Sequence, residues 1–456
     1  MSGIAANAEL HPGVAMGGGA RTAILAAGAM ATAGTIAVFG TASIAVIACV
    51  AAAAIALAVP EAGIYILFAA LALPVPVPAG PVVVYPHDAA ALLVIASATI
   101  SAMRRRDFHL PPVSFLAPAG ALLAAQVLSV ANAPNLRDAG IEILQEVYLL
   151  LLLPAACFLV FRDERALRRA AAAFVALAAA EALLICVQFL MAQAGSYFLI
   201  DLFAFGRHTF TRGHRVFGTI GPTVGVLMVA SSLLLMNLRL SWRWKAPVLL
   251  LHVFAIFATG TRSAALAFGV ALLFYAIFSK RKAASLKVLA AALAAITVFV
   301  AVMGVSRFAD SLVHFSDSRY RIPIDTKALR GVPDHAVIGH GPKEAAKLSI
   351  SIFGAKKTSV ENEFLARLYD SGAIGLAALV AFAMVPVLAS VWRAGRATRA
   401  GALAATAAAA IVGIYSTGPA TCIFEGDLGQ WTMLLYAMML AGSAASVAVP
   451  QEAYHA

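Results

Sequence analysis

Apolar runs of close to twenty residues recur along the chain, and a run of that length has few places to go. About twenty helical residues cross a bilayer, and inside it every backbone N–H and C=O must find its partner within the segment or within a closed barrel. Candidate spans fall at approximately 22–40, 42–59, 61–79, 87–103, 113–131, 140–161, 167–192, 219–238, 246–259, 262–279, 284–304, 372–392, 400–417 and 430–448. A barrel strand alternates polar and apolar residues, and "LLLLLPAACFLVF" from Leu149 does not. The expectation is an all-α, polytopic membrane helix bundle of about 12–14 transmembrane helices. The Ala-rich region before Pro60 reads equally as two short helices or one bent one. The 62% hydrophobic and 12% charged composition over 456 residues lies far from that of a soluble domain.

The lysines and arginines of the short loops set the orientation. "MRRRDFH" from Met103, "RDERALRR" from Arg162, "RLSWRWK" from Arg239, "KRK" from Lys280 and "RAGRATR" from Arg393 are basic. They alternate with loops at 81–86 and 419–429 that hold no Lys or Arg, and with one near Asn135 that holds only Arg137. The basic set is expected to be cytoplasmic, and with an even number of spans so are both termini, in a bacterial inner membrane. The expected organisation is a disordered cytoplasmic tail at 1–21, a bundle at 22–304 with an outward loop at 193–217, a periplasmic loop at 305–371, and C-terminal transmembrane helices at 372–448. The tail lacks the basic start and short apolar core of a signal peptide. Cys49, Cys157, Cys186 and Cys422 form no C-x-x-C pair and are assigned no chemistry.

The formal charge of +11 is mostly cytoplasmic anchoring and does not call for nucleic acid. The informative cations lie on the other side: Arg207, Arg212 and Arg215; Arg262 in "ATGTRSAALAF"; and a long loop holding Arg307, Arg319, Arg321, Lys327, Arg330, Lys343, Lys347, Lys356 and Lys357. Arginine offers a planar, permanently charged fork for phosphate oxygens. Arginines from three segments at one membrane face fit a lipid-linked pyrophosphate, although a single juxtamembrane arginine often only snorkels to headgroups. No D-x-D pair stands in the early outward loops, "EGD" at 425–427 is a weak substitute, and no metal is expected. "GHGPK" from Gly339 lacks the phosphate-loop spacing and is expected to shape a turn. Glu142 and Glu146, one helical turn apart, and Glu181 lie within spans; pairing with outward arginines is the simplest use for them.

Four stretches, "RVFGTIGPTVG" from Arg215, "TGTRSAA" from Thr259, "SRYRIPIDTKALRGVPDHAVIGHGP" from Ser318 and "ENEFLARLYDSGAIG" from Glu361, resemble the superfamily of O-antigen ligases and O-antigen or exopolysaccharide polymerases. The last is similar to the ligases' His-Asn, nine residues, Gly-x-x-Gly: Asn362 is followed by nine residues and then Gly372-Ala-Ile-Gly375, with Glu361 in the place of His. The resemblance implies a membrane-embedded glycosyltransferase using an undecaprenyl-pyrophosphate-linked oligosaccharide, with no metal and no nucleotide. It implies donor contacts from Arg215, Arg262 and Arg319 or Arg321, and places Glu361 beside the acceptor hydroxyl. Arg212, Asn362, His340 and Arg367 complete the expected substrate contacts. Chemically, Glu361 can take the acceptor's proton while arginines stabilise the departing pyrophosphate. Polymerase is the favoured reading, because the missing His is the ligases' signature; ligation to lipid A core or protein is the alternative, and a transporter or flippase the third. Expected partners are the bilayer and a chain-length regulator or flippase of the same pathway.

Overall fold

The structure is a computed structural model. It describes residues 41–72, 77–79, 82–196, 198–199, 218, 223–278, 318–353, 360–393, 398–421, 423–424 and 426–448, with short pieces between 286 and 301. Residues 1–55 form one unit, represented by the first part of helix α1 (Thr41–Ala58); residues 56–456 form the other, and everything below lies within it. The candidate span 22–40 and most of 284–304 lie outside the described residues.

The second unit is helical. Its described helices are α2 (Pro60–Ala72), α3 (Pro86–Arg105), α4 (Val113–Ser129), α5 (Leu136–Val147), α6 (Leu153–Val160), α7 (Glu164–Gln193), α8 (Val224–Leu235), α9 (Trp242–Ala258), α10 (Arg262–Phe278), α11 (Ser318–Gly331), α12 (Glu344–Phe353), α13 (Glu363–Arg393), α14 (Arg399–Ser416) and α15 (Gly426–Ala448). Six described stretches are long and apolar enough to cross a membrane: Pro86–Arg105, Val113–Asn132, Leu136–Val160, Glu164–Gln193, Glu363–Arg393 and Arg399–Ser416. The all-α polytopic class is as expected.

Three boundaries differ from expectation, each for a local reason. The span expected at 61–79 stops at Ala72, and the chain then forms a small antiparallel hairpin, Val77–Ala79 against Val82–Val84, with Val77 opposite Val84. Prolines at 74, 76 and 78 fix φ and remove amide donors, which ends a helix but suits a short extended edge. The span expected at 140–161 carries a π-helical turn at Tyr148–Leu152 just before Pro154. The wider turn accommodates a residue that lacks an amide and crowds the preceding carbonyls. The third difference is α13, which starts nine residues before the expected span and is broken at Gly372 (φ 65°, ψ −164°).

Lipid tails are as apolar as leucine, so helices associate in a bilayer through close packing, which small residues permit. Alanine-rich α14 packs against both α10 and α15. A Cβ on Gly413 would stand 2.6 Å from the Ala267 carbonyl oxygen, and one on Gly442 2.7 Å from that of Ala400. Every residue of α8 is buried, as expected of a helix that is apolar all round. Aromatic rings fill the larger spaces: Phe115, Phe382 and Tyr436 meet at 5.1–5.6 Å, and the Tyr436 hydroxyl donates to the Phe382 carbonyl (3.0 Å). This core holds α4, α13 and α15 together beneath the charged motif.

Candidate functional site

The motif begins with a cap. Asn362 precedes α13, its side-chain oxygen accepts the Leu365 amide (3.1 Å) and its carbonyl accepts the Ala366 amide (2.8 Å). This satisfies donors that a helix start leaves orphaned. From here, positions 363, 367 and 370 share one face, and that face points inward: Glu363, Arg367 and Asp370 are all buried.

Arg367 is enclosed by carboxylates. Its Nε donates to Glu363 Oε1 (2.8 Å), its Nη1 to Glu146 of α5, and its guanidinium lies 5.4 Å from the centre of the Phe424 ring. Glu146 Oε1 also accepts from Gln126 of α4 (3.1 Å), and Glu363 Oε2 accepts the Ile423 amide (3.0 Å). One buried cation thus ties together α4, α5, α13 and the segment before α15. The expected pairing of span acids with arginines is seen at Glu146, while Glu142 pairs with Lys343 (2.6 Å).

The break at Gly372 is filled by another part of the chain. A broken helix leaves carbonyls unpaired before the break and amides unpaired after it. The Tyr369 and Asp370 carbonyls accept the amides of His340 (2.9 Å) and Gly341 (3.0 Å), and the amides of Ala373 and Ile374 donate to the carbonyls of Ala336 (2.8 Å) and Val337 (3.3 Å). "GHGPK" is therefore a turn clasped into the helix. Gly339 and Gly372 both have positive φ, and a Cβ on either would overlap the facing backbone. Asn132 donates to the Gly339 carbonyl (2.7 Å), and Asp370 Oδ1 accepts the Ala345 amide (2.7 Å) at the start of α12. His340 stacks flat on Tyr369, centroids 4.0 Å apart. Lys347 of α12 pairs with Glu344 (2.8 Å) and Asp138 (3.2 Å), and the bond to Glu344 holds its ammonium above the usual lysine range.

Beside the buried network sits a second, more open pair. Glu361, one residue before the cap, forms an ion pair with Arg321 of α11; about a third of each side chain is exposed (32% and 36%), against 5% for Glu363 and 9% for Arg367. Arg321 Nε is buried and has no hydrogen-bond partner among the described residues. The ground beneath it is partly dry: burial pushes the carboxyl of Asp325 above its ordinary range, against the opposing pull of Arg321.

The remaining expected residues distribute as follows. Arg262 is the first residue of α10, after a turn in which Gly260 has φ 62° and Thr259 Oγ1 accepts the Thr261 amide (3.3 Å). Arg319 lies on α11 two positions before Arg321. Arg212, Arg215, Glu425 and Asp427's side chain lie outside the described residues. Of the expected set, the structure brings Arg321, Glu361 and Asn362 together, sets His340 against Tyr369, and locks Arg367 into the buried network. Asn132 and Tyr369 were not singled out by sequence, and nothing in their spacing marks them. Glu363 could have been found from its i, i+4 relation to Arg367.

Fold and site define an all-α membrane protein whose charged face is organised by a helix broken at a glycine. Residues 247–380 match a family model described as O-antigen ligase, so this part of the chain is similar to that family. The match runs from α9 through α10, α11 and α12 into α13, so it covers Arg262, Arg321, Glu361 and the glycine break. No curated protein matches the chain.

Proposed function

We propose that this chain is a glycosyltransferase that polymerises glycan repeat units carried on undecaprenyl pyrophosphate, at the outward face of a bacterial inner membrane. The family model matched at residues 247–380 supports a function of O-antigen ligase or polymerase type in general. The observation that carries the finer reading is Glu361. It is the motif's one partly exposed carboxylate, it replaces the histidine of the ligase pattern, and it is paired with an arginine that has a spare buried donor.

In this reading the acceptor hydroxyl oxygen attacks the donor's anomeric carbon and its proton passes to Glu361. The bond from that carbon to the pyrophosphate oxygen breaks, and the electron pair leaves with the pyrophosphate. Arg321 keeps one edge on the carboxylate and offers Nε to a phosphate oxygen, as a five-donor fork can. Arg262, Arg319, Arg215 and Arg212 would add positive charge where negative charge develops. Asn362 positions Glu361 by capping the helix next to it. Neither metal nor nucleotide takes part, and both termini lie in the cytoplasm.

The description of the matched family favours a second reading, ligation, which differs in acceptor and leaves the donor side unchanged. Purified protein in liposomes with lipid-linked repeat units should give a ladder of lengthened products. Product formed only when lipid A core is supplied would replace polymerase with ligase. A chelator should leave the ladder unchanged, and its loss would overturn the metal-free mechanism.

A further inference from the structure

A second cationic site lies at the other end of the bundle. From the break at Gly372, α13 continues 21 residues to Arg393, about 30 Å of helix, and α14 starts six positions later in the sequence, at Arg399. The turn between α8 and α9 is pinned to this start: Asn237 Nδ2 donates to Ala402 O (3.2 Å) and Thr406 Oγ1 (3.0 Å), and Lys245 Nζ to Met236 O (2.8 Å). Between them is a cavity of about 190 Å³ lined by Met236, Asn237, Leu238, Arg239, Lys245 and Arg399. Three cations line it, Arg239 from the turn, Lys245 from the first turn of α9 and Arg399 from the start of α14, and neither "MNLRLSWRWK" nor "VWRAGRATR" contains an acid.

We propose that this cavity binds the phosphate of an anionic phospholipid headgroup. Pockets that enclose drug-sized ligands run to about 300–1,000 Å³; this one is large enough for a headgroup with its tails left outside. Basic pockets between membrane helices suit such headgroups. The surroundings favour a lipid over a free anion. Trp242 (37% exposed) and Trp244 (69%) stand in the first turn of α9, next in sequence to Lys245, and Trp392 (88%) stands in the last turn of α13; tryptophan collects at the headgroup level of a bilayer. Exposed Leu240 lies on the same turn, and Lys287 stands 5.3 Å over the Trp242 ring. A bound headgroup would bridge the α8–α9 turn to the start of α14 through Arg239 and Arg399.

The test uses the full chain in detergent, titrated separately with dioleoylphosphatidylglycerol, dioleoylphosphatidylcholine and inorganic phosphate, and read by native mass spectrometry and thermal unfolding. The phosphatidylglycerol should be retained as a saturable adduct and raise the melting temperature, with little effect from the other two. Arg239→Gln/Arg399→Gln should weaken its binding about 30-fold, from roughly fivefold per basic residue at an anionic surface, while Arg239→Lys/Arg399→Lys should keep most of it. Should the Gln pair fail to fold, Arg239→Gln alone is read for its fivefold effect. Equal retention of phosphatidylcholine, undiminished binding by the Gln variants, or the same melting shift from inorganic phosphate with no lipid retained would each overturn the proposal.

Discussion

Glu361 and Glu363 flank the same asparagine, and they live in different worlds. Glu363 is buried against Arg367 and the Ile423 amide, so its charge is spent on holding helices together. Glu361 faces the more open side, where its arginine comes from α11 and still has a donor to give. The difference teaches that charge at the mouth of a membrane helix can serve two ends within three residues. The helical period decides which: Glu363 shares a face with Arg367 and Asp370, whereas Glu361 lies before the cap and outside that periodicity.

The contrast is sharpest in stability. Arg367→Met strips the cation from two buried carboxylates, and breaking a buried ion pair from one side typically costs about 3–5 kcal/mol. Thermal unfolding in detergent should show the largest drop here. Adding Glu146→Gln and Glu363→Gln to the same chain should restore much of the loss, because the uncompensated charges go with it. No recovery in the triple variant would mean that the arginine acts through shape alone. Next comes Gly372→Ala. It forces a Cβ into a positive-φ position against the Val337 backbone, a strain of about 1–3 kcal/mol, and it should also loosen the clasp. Hydrogen exchange at the amides of His340 and Ala373 would report that directly, and unchanged protection would argue against the clasp. Asn362→Ala removes a cap and should cost about 1 kcal/mol, measured by the same unfolding.

Much of this was legible in the sequence, and the limits have physical causes. Apolar runs of bilayer length announced the helices, and the spacing from Asn362 to Gly372 announced the motif, because a cap and a helix-breaking glycine are local features. The stop at Ala72 was legible too, had the alternating prolines been weighed above hydropathy. What sequence could not show is which of two neighbouring acids turns inward, since Arg367 meets Glu146 across 221 positions. Nor could it show that the segment from Ala336 to Gly341 supplies the missing hydrogen bonds of a helix thirty residues further on. Such partners are set by packing, and a polar residue waiting for a distant partner looks like one waiting for a substrate. Arg367 was expected at the substrate for that reason, and the structure finds it occupied by two carboxylates.

The smallest stability effect should come from Glu361→Gln, and there the two roles separate. An ion pair about one-third exposed contributes roughly 0–1 kcal/mol, so the melting temperature should barely move. If Glu361 is the proton acceptor, the amide can still accept a hydrogen bond from Arg321 but cannot take the proton, and elongation of lipid-linked repeats should fall by about 10²–10⁴. Glu361→His separates the possibilities further, since it restores the ligase pattern with a group that can also accept a proton. Partial rescue of elongation by His would place the chemistry at this position whatever the side chain, and a gain of product on lipid A core would mark position 361 as selecting the acceptor. Wild-type elongation by Glu361→Gln, with the protein equally stable, would return Glu361 to the role that Glu363 already fills: a carboxylate that holds an arginine in place.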